Sequence, residues 1–336
     1  MSTESNVYSQ GGGGTHYEFE VQTAYFINFI IGGNIPGLSE SHIKEFRQQS
    51  GSLGYKTDDL LLKCSDANSL EQRVLFQVKH NLIISEKSQL FKEVLKDAWM
   101  DFKNTSLFDS ATDKIYLIKS DLTQAEKNHL KQLLNWAKLK SSFTDFENEV
   151  SKIEAKKKYF ELFKSIIFQT DNNVSDTELF TFLKCFDILE YDFGHQASIA
   201  KASFLTLIEL SKSTETATAK QIWDSVFTFI SDSDSKGGFF TKDNLPQEVS
   251  KYFNSTYCNT TITKLKKLSH QNFEIIELID DTIGGVNISR RLVFEEAIEK
   301  QNKGQFIVLA GEPGAGKSAV ARSEEHTSEL QSPNCI

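Results

Sequence analysis

Apolar residues recur at helical steps from Tyr17 to Ile31, with Tyr17, Val21, Ala24, Tyr25 and Ile31 in the pattern, and Gly32-Gly33-Asn34 stops it. Two short runs, Lys56–Cys64 and Arg73–Lys79, read as strands joined through the turn-like Ser65–Ser69. A helix-rich stretch over Ser85–Lys103, a strand at Lys114–Lys119 and a helix from Thr123 to Leu139 follow. The order helix, strand, strand, helix, strand, helix predicts a small α/β domain over residues 17–143. Residues 144–252 show mainly helical spacing, as in Leu179, Phe182, Leu183, Phe186 and Leu189, and are expected to form a helical accessory domain without a strand series. Residues 253–285 read as a connector, leading to a helix over Asn287–Lys300 and a strand at Phe306–Ala310. The polar residues 1–16, with the Gly11–Gly14 run, read as a flexible entry.

Composition narrows the class. Of 336 residues, 39% are hydrophobic and 25% charged, which is ordinary for a soluble globular chain. No apolar run reaches the roughly 18 residues a membrane helix needs, and the N-terminus lacks a basic-then-apolar leader, so a cytoplasmic chain without a membrane partner is expected. Cys64, Cys185, Cys258 and Cys335 have no paired spacing, which points to reduced thiols and away from a zinc knuckle or disulfide framework. The formal charge of -9 opposes phosphate binding over the whole surface. Its acidity lies mainly in residues 166–336, and the near-balanced first half has room for a basic face.

Gly311-Glu312-Pro313-Gly314-Ala315-Gly316-Lys317-Ser318 fits the P-loop pattern and directly follows the apolar strand Phe306–Ala310. In such a loop the glycines turn backbone N–H groups toward phosphates, Lys317 sets a charge on the β and γ oxygens, and Ser318 gives an oxygen to Mg²⁺. Gly311, Gly314, Gly316, Lys317 and Ser318 are therefore the candidate nucleotide ligands, with ATP the cofactor of a full-length parent. Residues 286–321 read as the truncated start of a P-loop α/β domain. After Ala321 the apolar pattern stops, and residues 322–336 resemble sequencing-adapter read-through. No Walker B acid follows, so ATP turnover by this chain is not expected.

A second constellation lies upstream. In the strand Arg73–Lys79, period two puts Gln77 and Lys79 on one face and Val74, Phe76 and Val78 on the other. Asp58 and Asp59 sit near the start of the preceding strand and face opposite ways, and Glu18, Glu20 and Gln22 lie on the first helix. Hard oxygen donors from Glu20, Asp59 and the Gln77 carbonyl suit Mg²⁺ or Mn²⁺, and Lys79 can orient water or steady phosphorane charge.

Written as Phe19-Glu20-x-x-x-Ala24, Asp58-Asp59-Leu60 and Phe76-Gln77-Val78-Lys79-His80, these residues resemble the PD-(D/E)xK nuclease superfamily. More narrowly, their order looks like the CD-NTase-associated DNA endonucleases (DUF4297). The resemblance implies a restriction-endonuclease-like core and a catalytic set of Lys79, Gln77, Asp59 or Asp58, and Glu20. Metal is then held by Glu20, Asp59 and Gln77. Double-stranded DNA is the implied substrate, and the implied parent is a STAND-type NTPase that oligomerises and controls the nuclease in bacterial anti-phage defence. Gln77 departs from the commoner Asp or Glu and removes one negative charge from the metal. Two rivals share the pattern: a catalytically dead DNA-binding module, and a regulatory NTPase whose N-terminal region makes only protein contacts.

Overall fold

A computed structural model of the chain describes residues 13–33, 35, 38, 41–65, 70–193, 198–213 and 216–253, with the short pieces 282–283 and 286–287. The chain divides into two compact units, Met1–Tyr257 and Cys258–Ile336. In the second unit the described residues are one antiparallel pair, Thr282–Ile283 with Val286–Asn287. The P-loop, its flanking strand and the residues after them lie outside the described residues.

The first unit is an α/β fold built on a six-stranded mixed sheet. Its strands are β1 (His42–Gln48), β2 (Leu60–Ser65), β3 (Glu71–Lys79), β4 (Lys114–Lys119), β5 (Phe186–Glu190) and β6 (Phe239–Thr241), in the spatial order β5-β4-β3-β2-β1-β6. Strands β6, β1, β2 and β3 pair antiparallel, whereas β3, β4 and β5 run parallel. Parallel pairing needs crossovers, and these are helical: α2 (Gln89–Lys103) joins β3 to β4. A π-turn at Glu126–Leu130 and the helices α3 (Lys131–Leu139), α4 (Phe143–Val150), α5 (Glu154–Phe168) and α6 (Asp176–Cys185) join β4 to β5. Side chains from these crossovers close one hydrophobic core over the face of the sheet that carries Leu61, Leu75, Ile115 and Leu117.

On the other face lies α1 (Gly13–Ile31), packed on β1 and β3 and covered in turn by α7 (Ile199–Ser211) and α8 (Ala219–Asp234). Because α1 is clasped from both sides, it buries residues around its whole circumference, including the polar Glu20, Gln22, Thr23 and Asn28. Tyr25 meets Phe76 of β3 with ring centroids 4.6 Å apart, and Phe26 stacks on Phe229 of α8 at 5.5 Å.

The expected boundary between residues 143 and 144 is corrected. Strand β5 pairs with β4, β6 pairs with β1, and α6 packs on α3, so residues 144–252 complete the same sheet and core. Both strands are short, at five and three residues, which is too little for alternation to show in the sequence. Strand β1 lies outside the elements that the sequence pattern predicts. His42-Ile43-Lys44-Glu45-Phe46-Arg47-Gln48 carries two aliphatic or aromatic side chains among polar ones, and a bulge at Ile43/Glu45 breaks its alternation.

At the β5 edge, Asp187 is buried and meets two ammonium groups, Lys131 at 3.0 Å and Lys138 at 2.5 Å. Burial pushes its carboxyl upward, but Lys138 and Lys131 outweigh burial and hold it below its ordinary value. A depressed carboxylate contributes stability that is complete above the unfolded-state pKa and is lost as pH falls through the folded one. Asp187→Asn is expected to lose about 2–3 kcal/mol at pH 7. Urea unfolding at descending pH should show that gap closing below about pH 4; a gap that is constant with pH would contradict the ion-pair account.

Candidate metal and phosphate site

The antiparallel register carries the site's two strands together. Leu60 pairs with Phe76 and Leu61 with Leu75. One step further, Asp59 lies opposite Gln77, and both leave the sheet on the same side. The Asp59 Oδ2 accepts three hydrogen bonds: from Gln77 Nε2 at 2.5 Å, from the Val78 backbone N–H at 2.6 Å and from Lys79 Nζ at 3.2 Å. The side chains of Asp59 and Lys79 are 12% and 27% exposed, so the cluster sits at a mouth and not in the core. Burial raises the Asp59 carboxyl, against the pull of Lys79 and of the Val78 N–H.

The segment before β2 is pinned. Asp101 of α2 accepts the N–H groups of Lys56 (2.8 Å) and Thr57 (2.7 Å), the Ser50 hydroxyl donates to the Thr57 carbonyl, and the Ser50 N–H donates to the Asp58 carbonyl. These contacts fix which of the two aspartates enters the site. The Asp58 side chain is exposed and lies over Gly51, whereas Asp59 reaches Gln77 and Lys79.

On α1 the structure separates the two glutamates. Glu20 is 2% exposed and its Oε1 sits 2.7 Å from Lys201 of α7, whose ammonium also lies over the Trp223 ring. Glu18, two residues earlier and so about 200° away around the helix, is the one that shares a partner with Asp59. Gln22 Nε2 donates to Glu18 Oε1 at 3.0 Å and to the Asp59 carbonyl at 2.8 Å. Glu20, the expected ligand, thus faces Lys201, and Glu18 is the glutamate that Gln22 links to Asp59. With α1 buried all round, an apolar stripe could not tell the two apart; the Glu18-x-x-x-Gln22 step, which puts an acid and an amide on one side, was the available signal.

Charge at this mouth is unbalanced. Burial first, then the carboxylates of Asp59, Asp234 and Asp58, push Glu18 up to about 8, with Lys79 opposing. Asp234, at the end of α8, is itself raised by burial. On β4, Lys119 is the register partner of Lys79, yet its ammonium is taken by Glu126 at 3.2 Å inside the core. His80 packs its ring 5.0 Å from Tyr17, and its carbonyl accepts from Ser120 Oγ. Burial pushes the thiols of Cys64 and Cys185 to about 12 and about 11, which removes them as nucleophiles.

Among the described residues no three His, Cys, Asp or Glu side chains gather as a ready cation site. The donor set nevertheless suits a hard ion that keeps most of its waters: the carboxylates of Asp59 and Glu18 and the Gln77 carbonyl are all oxygen. A cation here would also oppose the burial and the carboxylate repulsion that together raise Glu18.

No family model matches the chain, and no curated protein does. Solved structures do resemble it. An Acinetobacter baumannii Cap4 SAVED/CARF-domain containing receptor with the cyclic trinucleotide 3'3'3'-cAAA superposes with a TM-score of 0.40 and 11% identity, over 68% of this chain and 42% of the receptor. The same organism's receptor described without the nucleotide gives 0.39 and 11%, over 68% and 44%. A Moraxella osloensis Cap4 SAVED/CARF-domain containing receptor gives 0.37 and 16%, over 68% and 45%. The chain thus spans less than half the length of these receptors.

These findings correct the family expectation. No family model matches, so none assigns the chain to the DUF4297 endonucleases or to the STAND-type NTPases. That assignment is withdrawn, together with the role it implied as an NTPase-controlled endonuclease effector of anti-phage defence. Among the described residues no helix is long and apolar enough to cross a membrane.

The raised Glu18 gives a measurable sign. Between its unfolded value of 4.5 and about 8, the folded chain holds a proton that the unfolded chain releases, so stability falls as pH rises through that window. In metal-free protein, Glu18→Gln should flatten the pH dependence of chemical unfolding between pH 5 and 8. Parallel curves for variant and wild type would contradict the assignment.

Proposed function

We propose that this chain hydrolyses phosphodiester bonds in double-stranded DNA with a divalent metal, Mg²⁺ or Mn²⁺, at the mouth formed by Asp59, Gln77, Lys79 and Glu18. The observation that carries the reading is the convergence of Gln77, the Val78 N–H and Lys79 on one oxygen of Asp59. The strand order around it, an antiparallel β2–β3 pair followed by parallel β4, is compatible with a PD-(D/E)xK-like core.

Asp59 and Glu18 would hold the metal, with the Gln77 carbonyl as a neutral third donor. When bound, the metal supplies a water of lowered pKa and neutralises charge on the phosphate. Lys79 would orient a water beside the phosphate and stabilise negative charge as it develops on the phosphorus oxygens. Because Gln77 donates a hydrogen bond where a second acid would repel Asp59, the strand pair holds its shape without metal. The same neutrality lowers affinity, so millimolar metal is the expected working range.

Incubation of the full chain with plasmid DNA and Mg²⁺ or Mn²⁺ at low salt tests this. Asp59→Ala, Lys79→Ala and Glu18→Gln should each lower the cleavage rate by about 100-fold or more, while Glu20→Gln retains most of it and loses stability through the Lys201 pair. Equal cleavage by all variants would sink the site. Binding of a cyclic trinucleotide such as the one held by the Acinetobacter receptor, with no metal-dependent cleavage, would replace the reading by a ligand-sensing one.

A further inference from the structure

A buried chain of two amides runs from α8 to the proposed site, and we infer that Gln22 and Gln48 are its positioning residues, setting Glu18 and Asp59 from an anchor on α8. The inference rests on the metal reading above for its function, but its geometry stands apart from it.

Both glutamines are fully buried, and every amide group has a defined partner. Gln48 Nε2 donates to the Ile230 carbonyl of α8 at 3.0 Å and to Gln22 Oε1 at 2.7 Å. Gln48 Oε1 accepts the Ser233 hydroxyl of α8 at 2.6 Å. Gln22 Nε2 then donates to Glu18 Oε1 and to the Asp59 carbonyl. A backbone carbonyl only accepts, so Ile230 dictates which end of Gln48 faces it, and Gln48 in turn dictates the orientation of Gln22. From the other side the Asp59 carbonyl demands the same orientation. The chain therefore has one direction, and its donor end arrives at the site.

The surroundings are shaped to hold it. The Gln48 N–H donates to the Gly238 carbonyl at 2.9 Å, and a Cβ on Gly238 would stand 2.2 Å from Gln48 Oε1. Only glycine leaves the amide that space. Next to it Gln49 takes a left-handed φ of 51°, uncommon for a residue with a side chain, and donates to Asp234 of α8 at 2.7 Å. A buried amide network with every proton used is rigid, and one missing member leaves the rest unpaired. A leucine in either place would suit a hydrophobic core equally well, so core packing alone does not account for the amides.

The test compares the full wild-type chain with Gln22→Leu, Gln48→Leu and the milder Ser233→Ala, which keeps the core shape if Gln48→Leu does not fold. One readout is the Val78 amide proton resonance in metal-free protein, because that N–H is bonded to Asp59 Oδ2 and reports where the carboxylate sits. The second is Mn²⁺ affinity by calorimetry. The resonance is expected to move in Gln22→Leu and Ser233→Ala, and Mn²⁺ affinity to fall about 10-fold or more in Gln22→Leu, with thermal unfolding still cooperative. An unmoved Val78 resonance in both variants overturns the relay, with or without metal. Wild-type protein that binds no Mn²⁺ overturns the metal reading instead, and the resonance alone then decides the relay.

Discussion

Three donors on a single carboxylate oxygen set the terms for the rest of the unit. Taking Asp59 largely out of water is costly unless its charge is met, and Gln77, the Val78 N–H and Lys79 meet it from one strand. That arrangement needs β2 and β3 in one register only, since a slip by one residue would turn Gln77 and Lys79 to the other face. The apolar partners Leu61 and Leu75 on one face, and Leu60 and Phe76 on the other, secure that register by burial. Hydrophobic pattern and polar site thus depend on the same pairing.

Much of this was visible in the chain itself. The helix at residues 17–31 and the strands at 73–79 and 114–119 match α1, β3 and β4 closely, because long amphipathic or strongly apolar segments carry their periodicity openly. Asp59, Gln77 and Lys79 were legible for the same reason: period two and an antiparallel pair bring them together. What stayed hidden was decided by distant contacts. Strand β6 is three residues long and exists because β1 offers it an edge, and the choice between Glu18 and Glu20 depends on α7 placing Lys201 beside one of them. Neither signal is local.

The family assignment failed in a different way. Short motifs can report a local arrangement of side chains correctly while leaving the surrounding protein open, since a handful of residues constrains a site far more than an architecture. The strand pair and its polar cluster are present; no family model matches the NTPase-controlled parent inferred from their spelling.

The sheet's two edge strands, β5 and β6, are made late in synthesis. Strands β4 and β1 are made early, but their outer edges are covered only when residues 186–190 and 239–241 have left the ribosome. At about 5–20 residues per second, the nascent chain exposes the edges of β4 and β1 for several seconds or longer, which is when neighbouring chains can add to them. A chain cut between the end of β4 and Phe239 would leave β1 without its late partner, and one cut before Phe186 would leave β4 without its partner as well. The late-made strands are short, at five and three residues, so the finished sheet ends in shorter edges than the unfinished one.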